Sequence, residues 1–354
     1  MIRRLLLSTI AILLFTVTPS GGRGFDKVEF EEDFIGVLKD MEAVGAAAIV
    51  LRGGQEAYSG AFGERVRTLS GRLPYSKDIL IRVGEVSCPV ISIAVMQLVE
   101  EGKLSLNTDV SEYLGYKVRN PKKPSKAVTL KMLLTGATSK FLEPSEAYII
   151  AATLVEKVTG MPFDSYARAS IFNPLGIEAH YDASAVPEEK RADSYNWSLE
   201  RRGYSENTRT WLPLDLAGYA PGESTSNLHP QSGLIISTEG LAKLIVAVMD
   251  YGLCPSGKRI YSEATGKELL RQQGFRKRQS LGFAYNTSVP DYVFATALGN
   301  YRGMSVCVYF NAKDRVALIA SCNGSHDRQP DSDGVIGNHF NREMRKLFTK
   351  HLID

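Results

Sequence analysis

The sequence is poor in the residues that most chemistry leans on. It has four cysteines and five histidines in 354 residues. Cys88, Cys254, Cys307 and Cys322 have a spacing that fits neither a disulfide framework nor a zinc site. No G-x-S-x-G nucleophile elbow occurs; Gly303-Met304-Ser305-Val306-Cys307 comes nearest and lacks the last glycine. No serine or threonine stands three residues before any lysine, the one-turn spacing at which an ammonium can activate a hydroxyl. Repeats and low-complexity segments are absent. Charge of one sign is absent too: 42 basic and 39 acidic residues leave +3, which gives no argument for nucleic acid or an anionic surface.

Long hydrophobic runs are also missing, with one exception. MIRR precedes the apolar run Leu5 to Val17, and TPSGG follows. The run is too short for a span of roughly 20 residues and reads as an export signal over 1–22, cleaved near Ser20 to Gly22. The expectation is a mature chain from residue 23, secreted or periplasmic, with no membrane span after cleavage. No cysteine follows the run, which argues against a lipoprotein anchor.

The rest has the composition of a globular protein, 44% hydrophobic and 23% charged. Gly45 to Glu64 reads as two strands around a Gly-Gly turn. Val90 to Leu104 is a helix ended by Gly102, and Val128 to Gly136 a short one. Ser145 to Gly160 is a third, and PFDSYARASIFNPLGI a fourth, stopped by Asn-Pro. A long polar region containing glycines and prolines runs from about Asp182 to Pro230. A fifth helix follows Ser237 or Thr238 as cap. Strands return in SLGFAYN, MSVCVYF and RVALIASC, and NHFNREMRKLFTKHL closes the chain. A tight turn near NAKD would set Cys307 opposite about position 318. That register disfavours a Cys307–Cys322 bridge and leaves buried thiols.

Strands at both ends and helices between them predict an α/β fold: an antiparallel sheet lobe from both termini (about 23–85 and 250–354) with a mainly helical lobe (about 86–249) inserted. A cleft between such lobes is a natural site.

In order along the chain, GAFGE, ILIRVGEVS, AVMQLVEEGKLSLNTDVSEYL, VTLKMLLTGATS, YIIAATLVEKVTGMPFDSYA, IFNPLGIEAHYD, SGLIISTEGLAKL and VYFNAKDRVALIASCN resemble the serine β-lactamase and penicillin-binding-protein-like hydrolases. The resemblance is greatest to the class C β-lactamase and esterase-related branch, and it runs from about Val44 to Asn323. It implies a β-lactamase/transpeptidase-like fold. It also implies a serine and a lysine at the mouth of the first long helix, a Tyr-x-Asn, and a Lys- or His-x-Gly on a strand beside the cleft.

None of the three motifs stands. The first falls on Glu85 and Cys88, the second on Glu143 and Ser145, and the third on Ala297-Leu298-Gly299, where only the glycine survives. A histidine usual after MLLT is replaced by Gly136. A literal Tyr-x-Asn, Tyr309-Phe310-Asn311, falls at a strand end and reads as chance.

Three readings follow. In the first, the chain keeps the fold without acyl-serine chemistry, as a binding or regulatory protein without cofactor or metal. The resemblance then implies a peptide, a peptidoglycan-like ligand or a protein partner. In the second, Cys88 or a Glu85/Glu143 pair runs a rearranged esterase, amidase or peptidase chemistry. Glu85, one turn from Cys88, opposes a thiolate there. In the third, side chains from Asp182 to Pro230 fill the cleft.

Overall fold

The computed structural model describes residues 24–68, 71–198, 202–273, 278–290, 292–325 and 339–353. The expected export signal lies outside the described residues, as does His326. No described helix is long and apolar enough to cross a membrane.

Among the described residues twelve strands form three sheets. They are β1 (Gly45–Arg52), β2 (Gln55–Arg67), β3 (Arg72–Pro74), β4 (Leu80–Arg82), β5 (Ala179–His180), β6 (Tyr195–Ser198), β7 (Gly203–Glu206), β8 (Ile235–Ser237), β9 (Ala284–Val289), β10 (Tyr292–Tyr301), β11 (Met304–Asn311) and β12 (Val316–Cys322). The main sheet has seven antiparallel strands in the order β3-β2-β1-β12-β11-β10-β9. β4, β8 and β5 make a small second sheet, and β6 and β7 a hairpin. The described helices are α1 (Lys27–Asp40), α2 (Cys88–Glu100), α3 (Val110–Leu114), α4 (Leu130–Leu134), α5 (Pro144–Thr159), α6 (Phe163–Ala167), α7 (Thr238–Met249), α8 (Glu263–Leu270) and α9 (His339–Leu352).

The central strands are apolar throughout because both faces are covered. Alternation along β1 sends Ala47, Ile49 and Leu51 to one core and Ala46, Ala48 and Val50 to the other. α1 and α9 cover the second face with Phe30, Phe34, Phe340, Met344 and Phe348. α7 covers the first, packing on β1 and β12, although the sequence placed it in the helical stretch. The helices α2 to α6 gather around α5.

Two expectations need correction. Cys307 pairs with Ala320, not with a residue near 318, because Asn311 and Val316 close a four-residue turn. The fourth helix does not stop at Asn-Pro. α6 continues through a π turn over Arg168–Phe172 and a 3-10 turn over Asn173–Leu175, and the left-handed Gly176 ends it. The polar region from Asp182 to Pro230 holds the β6–β7 hairpin. The four cysteines are free thiols, with Cys254, Cys307 and Cys322 buried.

Candidate functional site

β4 ends at Arg82, a 3-10 turn covers Gly84–Ser87, and α2 begins at Cys88 with Pro89 in its first turn. β10 crosses this turn at backbone distance. A Cβ on Gly299 would lie 1.9 Å from the Val83 carbonyl oxygen. Gly84 has φ +55°, and a Cβ there would lie 2.8 Å from the Asn300 carbonyl oxygen. The glycine kept at the third motif is therefore a close-approach position.

The crossing brings Glu85 to β10. The exposed Glu85 carboxylate accepts the Asn300 N–H at 3.2 Å. A main-chain N–H aimed at the place where a helix-mouth nucleophile would stand is the kind of donor that stabilises an oxyanion. Here a carboxylate of the chain itself takes it. The α2 N-terminus, which has no side-chain cap, adds a favourable field for that charge.

Cys88 is partly exposed, and its thiol donates to the Gln231 carbonyl at 3.4 Å. Burial pushes this thiol far above its ordinary range, and the Glu85 charge pushes it further. An ordinary thiol is about a tenth ionised one unit below its pKa of roughly 8.5. Cys88 falls far below that fraction at neutral pH.

Two tyrosines that the motif comparison did not weigh stand within electrostatic range of Cys88. Tyr148 donates to the Leu134 carbonyl at 3.3 Å, and burial, then Cys88, raises its hydroxyl pKa. Tyr181 is fully buried, and burial followed by the same thiol raises it as well. Both stay neutral phenols. Neither tyrosine falls on a motif position in the sequence; only the fold brings Tyr148 and Tyr181 within range of Cys88.

Ser87 is a serine two residues from Glu85, but it is wholly buried. Its hydroxyl donates to the Gly84 carbonyl at 2.6 Å and accepts the Leu234 N–H at 3.2 Å. It holds the turn and faces no solvent.

Glu143 occupies the N-cap position of α5, with Pro144 in the first turn; Glu143 and Ser145 are exposed. The Glu143 N–H donates to the Glu146 carboxylate at 3.4 Å. Neither Glu143 nor Ser145 hydrogen-bonds Glu85 or Cys88 among the described residues. Ala297 is buried on β10 opposite Val308 and offers no cation. The structure joins the Glu85 turn to Gly299 and Asn300 of β10 and places Glu143 and Ser145 at the N-terminus of α5, which packs on α2.

The literal Tyr309-Phe310-Asn311 is structural. The Tyr309 hydroxyl donates to the Asn341 carbonyl at 2.6 Å, under α9. Among the described residues no side chain from Asp182 to Pro230 hydrogen-bonds Cys88; its partner is the main chain of Gln231, one residue beyond. That segment is held nearby by Arg82. This buried guanidinium donates to the carbonyls of Thr210 (2.7 Å) and Gly233 (3.0 Å), with its carbon 5.9 Å from the Trp211 ring and 5.3 Å from that of Tyr301.

Among the described residues one group has metal-ligand geometry: Glu29, Asp33 and His351, at the α1–α9 contact. The Lys350 ammonium already bonds both carboxylates, at 3.0 and 2.6 Å. The positive charge those carboxylates call for comes from the protein.

Comparison with known proteins gives the same frame. The Beta-lactamase family model matches residues 33–142 and 145–336. An esterase, EstB of Burkholderia gladioli, is 36% identical over 198 residues, 43% of this chain and 50% of its own. The chain thus spans about half the length of that relative. Penicillin-binding protein 4 of Amycolatopsis lactamdurans is 24% identical over 285 residues, 70% of each chain. The crystal structure of a β-lactamase/D-alanine carboxypeptidase from Pseudomonas syringae superposes with a TM-score of 0.69 at 12% identity, over 92% of this chain and 99% of that one.

Proposed function

The chain belongs to the Beta-lactamase family, and from that premise we propose that it is an exported member without acyl-serine chemistry, acting as a binding or regulatory protein. The observation that carries this reading is the Glu85 contact. At the position where the family resemblance places the nucleophilic serine stands a carboxylate, and its oxygen takes the β10 donor for itself.

Family acyl transfer needs a nucleophile, a base and a donor set for the developing oxyanion. Cys88 supplies no base, Ala297 no cation, and the Asn300 N–H is engaged within the chain. Removing one oxyanion donor alone costs a hydrolase about 100-fold to 1000-fold in rate. Losing the nucleophile and its base as well leaves no acylation route. The ligand is then a peptide, a peptidoglycan-like fragment or a protein partner held in the old cleft, outside the cell or in the periplasm.

The competing reading is a hydrolase using Cys88 or the Glu85/Glu143 pair. The raised Cys88 thiol speaks against the first form, and against the second stands the engagement of Glu85 by the Asn300 N–H. Turnover of ester, amide and β-lactam substrates by the wild type, Cys88→Ser and Glu85→Gln separates them. The expected result is no turnover above buffer for any of the three. Wild-type turnover that Glu85→Gln or Cys88→Ser abolishes would overturn the proposal.

A further inference from the structure

The near-neutral charge of the whole chain conceals a local segregation. From residue 113 to residue 142 there is no aspartate or glutamate, but there are seven basic residues: Lys117, Arg119, Lys122, Lys123, Lys126, Lys131 and Lys140. The rest of the chain therefore carries a net charge of −4. Most of the basic residues fall on the loop between α3 and α4, which is exposed at every position from 121 to 127.

This loop is fixed in shape. Gly115, left-handed at φ +81°, ends α3. Arg119 grips Asp109 through two nitrogens, at 3.0 and 2.6 Å, and also donates to the Ser111 hydroxyl at 2.7 Å. The Asn120 side chain accepts the Lys122 N–H at 2.9 Å, and the Asn120 carbonyl accepts that of Lys123 at 2.9 Å. Pro121 and Pro124 restrict the turn further. The one arginine is thus spent inside the fold. Lys117, Lys122, Lys123 and Lys126 are exposed, and none is ion-paired among the described residues. Tyr116, 54% exposed, stands beside them.

We propose that the Tyr116–Lys126 loop docks this protein on an anionic phospholipid surface. Four features select that partner. The free cations are lysines, compact point charges suited to a diffuse negative surface, while the arginine fork that reads single phosphates is engaged. Every position from 121 to 127 is exposed, so the lysines present an open surface rather than an enclosed anion site. It carries one exposed aromatic, not the row of rings on which nucleic-acid bases stack. Tyrosine is also a residue of membrane interfaces, with an apolar body and a polar tip. Its pre-set shape lowers the ordering cost of docking. Juxtaposed lysines bind anionic lipid additively and in a salt-dependent way, so four of them are worth roughly a hundredfold or more in partition coefficient.

The test is co-sedimentation of the full chain with sucrose-loaded phosphatidylglycerol/phosphatidylcholine vesicles and with pure phosphatidylcholine vesicles. The patch variant carries Lys→Gln at 117, 122, 123 and 126. A charge-matched control carries Lys→Gln at the exposed positions 39, 243, 258 and 313, and circular dichroism verifies that both fold. The expected result is partition onto anionic vesicles only, lost about a hundredfold in the patch variant, kept in the control and weakened by salt. Three results would overturn the proposal: equal loss in both variants, equal binding to neutral vesicles through the apolar N-terminus, or patch-dependent binding to soluble polyphosphate or RNA with none to vesicles.

Discussion

Replacing Gly299 by alanine would drive a methyl carbon into the Val83 carbonyl, 1.9 Å from where the Cβ must go. Both partners are main chain, so neither can rotate away. The expected cost is about 3 kcal/mol, at the upper end of overpacking, read as a shift of the urea midpoint with m unchanged. A shift below about 0.5 kcal/mol would mean that β10 and the helix mouth are not held at this distance. The position was legible as a glycine that outlasted its motif. What it touches was not, because Val83 lies more than 200 positions away in the chain. The same holds for Glu85. The sequence showed a carboxylate in a nucleophile's place; only the fold shows its oxygen on the Asn300 N–H.

Among the elements, α1 went unread although its signals were present. Asp26 accepts the N–H groups of Val28 and Glu29, and Phe30, Phe34 and Leu38 follow at helical spacing. α8, capped by Ser262, went unread too. α2, α5 and α7, which were read, are more apolar along their length than either. α1 and α9 are clasped by Asp33, which accepts from Lys350 at 2.6 Å and lies 2.7 Å from His351 Nε2. Burial alone would raise the Asp33 pKa, but the hydrogen bonds and charges of Lys350 and His351 outweigh it and hold the carboxyl below its ordinary value. A depressed carboxyl stabilises the fold fully above its unfolded pKa of about 3.9 and loses that contribution as pH falls through the folded value. Asp33→Asn should therefore melt below the wild type at pH 5, by an amount that shrinks as the pH falls below about 4. A melting gap that widens as the pH falls from about 5 to about 3 would refute the clasp.

At the scale of the molecule, the two-lobed α/β arrangement was readable because strands bracket a run of amphipathic helices. The central strands could be placed because both of their faces are apolar. The register of β11 on β12 was off by two residues, since it depends on a turn length that composition does not set. The central claim concerns chemistry at the join of the lobes. Its most direct measurement is intact mass after incubation with a reactive penicillin, a fluorophosphonate and, separately, a thiol alkylator. The account predicts no adduct from either acylating reagent and only slow alkylation of Cys88 at neutral pH. A stoichiometric acyl or phosphonyl adduct on any serine, or rapid selective labelling of Cys88, would contradict it.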